Sequence, residues 1–248
     1  MPANTSVSRL DHVRTFYQTL ASLEEKLGGS RSLGQAYTSR DWPRRGVYFF
    51  FENGEERTTS GSGLRVVRVG THGLAAGSHS TLWGRLHQHR GNIGGRHAGG
   101  GNHRGSVFRL HVGTALIRRD GWQVPSLDQW MSPEGLSGTA QFDEDRLERA
   151  VSIHIRSMPF LWLAVEDDPG PNSLRGYVER NAIALLSNCL HPSDPIDPPC
   201  GGWLGLSAYS DDIKCSGLWN VRQVRDQYDP AFLTELQRLV AACGALHS

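Results

Sequence analysis

Three ionisable side chains stand out in this sequence because their settings suit chemistry better than solvation. Arg85 and His89 lie four residues apart in Ser80–Arg90 (STLWGRLHQHR), a spacing that stacks two side chains on one helix face. Both border the stripe of Leu82, Trp83 and Leu86, where cations can lean into a cleft; the alternative is a snorkelling arginine beside a partly buried histidine. Glu179 is the third. In the helix predicted over 177–189, Val178, Ala182, Ile183, Leu185, Leu186 and Cys189 fill one arc. Glu179 falls inside that arc, at about 200° when Tyr177 is set to zero and each residue advances about 100°. A carboxylate seldom faces a core without a cation or metal beside it. It is therefore either half of a structural ion pair or a ligand.

Other chemistries are poorly supported. The sequence has no G-x-x-x-x-G-K-[ST], no G-x-S-x-G and no H-E-x-x-H, which removes P-loop, nucleophile-elbow and zincin readings. His87-Gln88-His89 is an H-x-H, but on a helix its two histidines point to different faces. Cys189, His191, Cys200 and Cys215 could hold zinc, yet no cysteine pair has C-x₂₋₄-C spacing, and ordinary buried thiols explain them better.

The 248 residues carry a net charge of only +1, which argues against a nucleic-acid partner until the charges are located. From Arg57 to Arg119 there are ten arginines, seven histidines and no Asp or Glu. Such a stretch reads as an anion-facing surface, unless distant carboxylates fold over and neutralise it. Within it, seven of the fifteen residues of Gly91–Gly105 are glycine. Arg90, Arg96, Asn102, His103, Arg104 and Arg109 in and beside this loop are expected to face DNA. They would either read base edges, as Arg does with guanine and Asn with adenine, or contact phosphates alone.

The elements that must position these groups follow from periodicity. Residues 8–28 have helical apolar spacing with Gly28-Gly29 as the stop. Gly46–Phe51 (GVYFFF) and Leu64–Val69 (LRVVRV) read as a hairpin with a long polar loop. Ser106 looks like an N-cap for a helix over 107–119. Residues 120–150 read as an insertion, Met158–Val165 as a buried strand, and Asp229–Ala242 as a final amphipathic helix. No apolar run is long enough to span a membrane, mean hydropathy is −0.42, and no secretory signal is visible. With only four cysteines, a reducing, cytoplasmic setting is expected.

The order Gly46-Val47-Tyr48, Arg68-Val69-Gly70, Arg85 with His89 one turn on, Glu179 and then Asn220 resembles the GIY-YIG nuclease family, its restriction endonucleases most of all. The resemblance implies an α+β fold with a small three-stranded antiparallel sheet flanked by helices. Helical additions are expected at 1–42 and 223–248 around a core at 43–222, which carries insertions at about 52–63 and 117–150. It implies a DNA endonuclease in which Tyr48 relays the proton of the attacking water, Arg85 clamps the phosphate and Glu179 holds Mg²⁺ or Mn²⁺. His89 would accept the proton in place of Tyr48 or bind the adjacent phosphate. Asn220 would hold the site's backbone or orient Glu179. Arg68 stands where the family has a tyrosine; a guanidinium stays protonated and cannot be a general base, so its expected part is to orient water or hold phosphate. Double-stranded DNA is the expected partner. A homodimer would match a palindromic site, with the terminal helices 8–28 and 230–246 as candidate surfaces. The competing readings are a catalytically inactive nucleic-acid-binding module and a zinc-stabilised interaction domain.

Overall fold

The computed structural model describes residues 8–35, 42–92 and 100–244. Chain order is α1 (Arg9–Leu27), β1 (Arg31–Ser32), β2 (Gly46–Glu56), β3 (Leu64–Gly70), α2 (Leu82–Arg90), α3 (Val107–Asp120), α4 (Leu127–Met131), α5 (Thr139–Ser157), β4 (Pro159–Ala164), α6 (Leu174–Leu186), α7 (Asp211–Ser216) and α8 (Ala231–Ala242). The α+β class is as expected, but the sheet has four strands rather than three, in the order β1-β4-β2-β3 and antiparallel throughout. The added strand is two residues long. After the left-handed Gly28 cap of α1 the chain turns back along the start of β4, placing Arg31 opposite Phe160 and Ser32 opposite Pro159. Arg-Ser has no alternation of its own, so its pairing is a tertiary effect invisible to periodicity.

β2 is central, and the period of two sorts its side chains. Phe49 turns to α1, where Phe16 meets it edge-on at 5.8 Å. Tyr48 and Phe50 turn to the opposite face, against His89 of α2 and Phe108 of α3. The terminal helices bury their apolar faces: Phe16, Leu20 and Leu23 of α1, and Phe232, Leu236 and Val240 of α8. They pack on each other and, together with α6, enclose one side of the fold.

Two expected insertions have defined roles. The hairpin loop is pinned by Asp197, whose Oδ1 accepts the backbone N–H groups of Thr58, Thr59 and Ser60 at 2.7–2.9 Å. The stretch after Asp120 supplies α5, whose Glu144 and Glu148 are buried one turn apart. The cysteines do not form a zinc set. Cys189 and Cys215 are joined as a disulfide, with the Asp212 carboxylate beside them, while the Cys200 thiol sits 2.6 Å from Glu55 Oε1. Among the described residues, no helix is long and apolar enough to cross a membrane.

Candidate active site

Both glycine motifs are set by close approach. Gly46 lies so near Leu163 of β4 that a Cβ there would come 2.5 Å from the Leu163 carbonyl oxygen. Gly70 pairs directly with Tyr48 across β2 and β3, and a side chain at Gly70 would occupy the tyrosine ring. Thr71, the next residue, ties the two motifs together by donating from Oγ1 to the Gly46 carbonyl at 2.7 Å. Gly70→Ala should therefore lower stability by about 1–3 kcal/mol, the usual cost of overpacking. Thermal denaturation checks the fall, and a change in Tyr fluorescence should accompany it as the ring is displaced.

β3 is an edge strand, and its outer side is closed by residues 217–220. Trp219 N–H donates to the Val67 carbonyl at 2.6 Å. The Asn220 amide both accepts from Val69 N–H at 3.1 Å and donates to the Val69 carbonyl at 2.9 Å. The Asn220 side chain is thus bonded to the backbone of the second motif, like one residue of a further strand. Glu52 fixes this segment from behind by accepting both indole N–H groups, from Trp203 at 2.9 Å and Trp219 at 3.1 Å.

Tyr48 and His89 are both fully enclosed, with the Tyr48 hydroxyl 2.8 Å from His89 Nε2. Burial, reinforced by the charges of Arg68, Arg85 and Arg109, holds the His89 imidazole well below its ordinary value, so the ring is neutral. Arg68 is 7% exposed. It donates to the Trp219 carbonyl at 2.7 Å and lies over the Phe108 ring at 4.6 Å. Burial pulls its guanidinium below the ordinary value, while Tyr48 is its strongest favourable electrostatic partner. Among the described residues no carboxylate forms a salt bridge with it.

In front of this layer lies a cleft of about 620 Å³ whose walls include Thr71, His72, Ser80, Arg85, Gln88 and Glu179. Arg85 is half-exposed in the first turn of α2 and spends one nitrogen on Gln88 Oε1 at 3.0 Å and the Gly105 carbonyl at 3.3 Å. Glu179 reaches the cleft from α6, and its Oε1 accepts the Thr71 N–H at 3.0 Å. Burial raises the Glu179 carboxyl above its ordinary value, opposed by Thr71 and by the charges of Arg68, Arg85 and Arg175. No arginine forms a direct ion pair with it among the described residues, so the structural-pair alternative is not what the fold builds. Oε2 has no protein donor there. A single carboxylate oxygen facing a polar cleft suits a hard divalent cation, since Mg²⁺ takes one or two carboxylates and completes its shell with water and phosphate.

Several residues expected to face DNA are interior. Arg109 is fully buried, giving two donors to Glu148, one to the His89 carbonyl at 2.9 Å and one to Ser152 at 2.9 Å. His103 is 2% exposed, bonded to Glu148 Oε1 at 2.9 Å and stacked on Trp130 at 3.7 Å. Arg90 is also buried, with its guanidinium over the Trp83 ring at 5.7 Å. Arg104 is half-buried on Glu144 at 2.5 Å and the Glu134 carbonyl. Asn102 is exposed, but its side chain caps the short turn at His103–Gly105 by accepting Arg104 N–H. The physical reason is that α5 folds its acids over the acid-free stretch, which is the neutralising alternative in part. Arg96 lies outside the described residues.

Two contributors carried no sequence signal for their roles. Ser106, legible as an N-cap, also bonds His89 Nδ1 at 2.8 Å. His72 bonds Ser80 Oγ through Nδ1 at 3.3 Å, while its Nε2 is buried without a partner among the described residues. Burial and the Arg175 charge lower its imidazole to about 4. Both follow from loops brought against the sheet, which no periodicity reports.

No curated protein and no solved structure matches the chain. The GIY-YIG domain family matches residues 7–245, from α1 through the end of α8. With its two glycine motifs interlocked, a helical arginine and an inward-facing glutamate at one cleft, the chain belongs to the GIY-YIG domain family, a nuclease fold whose members generally depend on a divalent metal.

Proposed function

We propose that this protein is a metal-dependent endonuclease that hydrolyses phosphodiester bonds of double-stranded DNA at defined sites, as restriction enzymes do. The observation that carries the reading is the meeting of Arg85 and Glu179 in one polar cleft, with the buried Tyr48, Arg68 and His89 behind it. Phosphodiester hydrolysis needs a base for water, a clamp on the phosphate and relief of charge on the leaving oxygen. Arg85, without a carboxylate partner among the described residues, binds the non-bridging oxygens. Tyr48, having first given its phenolic proton to solvent, takes the water's proton on its phenolate oxygen as the water oxygen bonds to phosphorus, and the bond to the leaving sugar oxygen breaks, that oxygen taking a proton from solvent. Glu179 would hold Mg²⁺ or Mn²⁺, which when bound supplies charge relief to the phosphate and leaving oxygens. Arg68 cannot be the base; its place is to carry positive charge beside Tyr48. Two copies acting on a palindrome would meet through helical surfaces other than the apolar faces α1 and α8 already share.

Plasmid DNA should be cut in Mg²⁺ and left intact in EDTA, and sequencing the fragment ends should return one motif. Binding without cutting in Mg²⁺ or Mn²⁺ would instead identify a non-catalytic DNA-binding module. Tyr48→Phe should slow single-turnover cleavage by about 10²–10⁴-fold, the range for a general base. A wild-type rate would show that the buried layer behind the cleft is purely structural.

A further inference from the structure

The hydrogen bonds around His89 distinguish its two neutral tautomers. The ring is enclosed, with Tyr48 Oη 2.8 Å from Nε2 and Ser106 Oγ 2.8 Å from Nδ1. It is faced by Arg68 from β3, Arg85 from α2 and Arg109 from α3, and it is neutral. One ring nitrogen therefore donates and the other accepts. Ser106, 1% exposed, has a second engagement, since its Oγ accepts Arg109 N–H at the head of α3 at 3.3 Å.

Suppose Nδ1 carried the proton. Ser106 Oγ would then receive two N–H donors, and its own hydroxyl proton would have no acceptor among the described residues. That leaves a donor stranded away from water, the expensive outcome. With the proton on Nε2 instead, Ser106 accepts from Arg109 and donates to Nδ1, and the ring aims an N–H at Tyr48. The hydrogen left over is now the Tyr48 phenolic one, which is absent whenever Tyr48 stands ready as the base of the proposed reaction. The Tyr48 oxygen also faces Arg68, a buried cation without a salt-bridged carboxylate among the described residues. Buried charges need a counter-charge, and in the proposed reaction the negative charge on the Tyr48 base would meet this cation.

We propose that Ser106 fixes His89 in the Nε2–H tautomer, so that His89 and Arg68 together hold the negative charge of Tyr48 as it takes a proton from the attacking water. The base role of Tyr48, and with it this direction of the hydrogen bonds, rests on the nuclease reading above. Ser106 and His89 are then positioning residues. The neighbouring arginines disfavour the imidazolium that a proton-accepting His89 would become, which is consistent with its acting as a donor.

The experiment is nitrogen-resolved NMR of the full chain labelled at histidine, read beside single-turnover cleavage. In the wild type the proton of His89 should sit on Nε2. Ser106→Ala should shift it toward a mixture of tautomers, and Ser106→Thr, which keeps both the hydroxyl and the cap, should restore it. A wild-type proton on Nδ1, or a tautomer indifferent to Ser106→Ala in a folded protein, overturns the proposal. In cleavage, His89→Gln retains an N–H donor near the Nε2 position and should stay within about tenfold of wild type. His89→Ala should lose about 10²–10³-fold, the usual range for one stabilising donor. Equal losses in the two variants overturn the proposal and make the imidazole the proton acceptor. Absence of cleavage by the wild type would defeat the nuclease reading, while the NMR result would still decide the tautomer.

Discussion

Replacing Glu179 by glutamine should abolish DNA cleavage, leave DNA affinity intact and raise the melting temperature at neutral pH. The first effect follows from losing the one carboxylate that lines the cleft among the described residues. Metal-assisted charge stabilisation is worth several kcal/mol, so the loss should exceed about 10³-fold in single-turnover rate. Affinity should hold because phosphate binding comes from cations. The third effect comes from burial. The carboxyl is raised above its ordinary value, chiefly by desolvation. A folded-state value above the unfolded one means stability is fullest below the unfolded value and is lost as the pH rises through the folded value. Ionised Glu179 therefore destabilises the fold at pH 7, and a neutral amide escapes that penalty. A plasmid assay, a binding titration at fixed salt and a thermal melt test the three together. Wild-type cleavage by this variant would remove Glu179 from the site.

Glu148→Ala should cost about 3–5 kcal/mol, the range for breaking a buried ion pair by removing one partner. Glu148 is 3% exposed and binds Arg109 and His103, which are 0% and 2% exposed. Its loss strands the Arg109 guanidinium in the core. For a chain of this size the fall in melting temperature should be on the order of 10 °C. Burial alone would raise the Glu148 carboxyl, but the His103 hydrogen bond and the Arg109 charge bring it below its ordinary value. Its contribution is therefore complete above the unfolded value and disappears as the pH falls through the lower folded one. Since Arg109 also donates to the His89 carbonyl, cleavage should fall with stability. Acid titration of the wild type and the variant, followed by circular dichroism, should show the two curves converging at low pH.

Much of the framework was legible in the sequence because local pattern and packing agree there. The helices at 9–27, 82–90 and 107–120 and the strands at 64–70 and 159–164 follow from apolar spacing, caps and β-branched runs, whereas β2 runs five residues beyond the expected Gly46–Phe51, into the stretch read as an insertion. Glu179 was legible for the same reason, as a charge at a position the periodicity assigns to the interior. The roles of the basic residues were less so. Acid-free composition marks 57–119 as cationic, but it does not report that Glu144 and Glu148 lie on a long helix folded back over it. Arg109 and Arg85 look alike in sequence, yet one is sealed on a carboxylate and the other faces a cleft. What separates them is which distant element each helix meets, a tertiary fact with no local signature. β1 and the hydrogen bond from Ser106 to His89 escaped notice on the same ground.

The clip formed by Trp219 and Asn220 on β3 has a consequence for how copies of this protein can associate. An uncovered sheet edge offers a row of free N–H and carbonyl groups to any passing strand. Here the outward groups of Val67 and Val69 are already taken by a backbone amide and a side-chain amide of the same chain. A strand from a second molecule would have to displace both before it could pair. The segment that steadies the second motif therefore also makes that edge a closed border, shielding the strand that carries Arg68 from edge-to-edge aggregation.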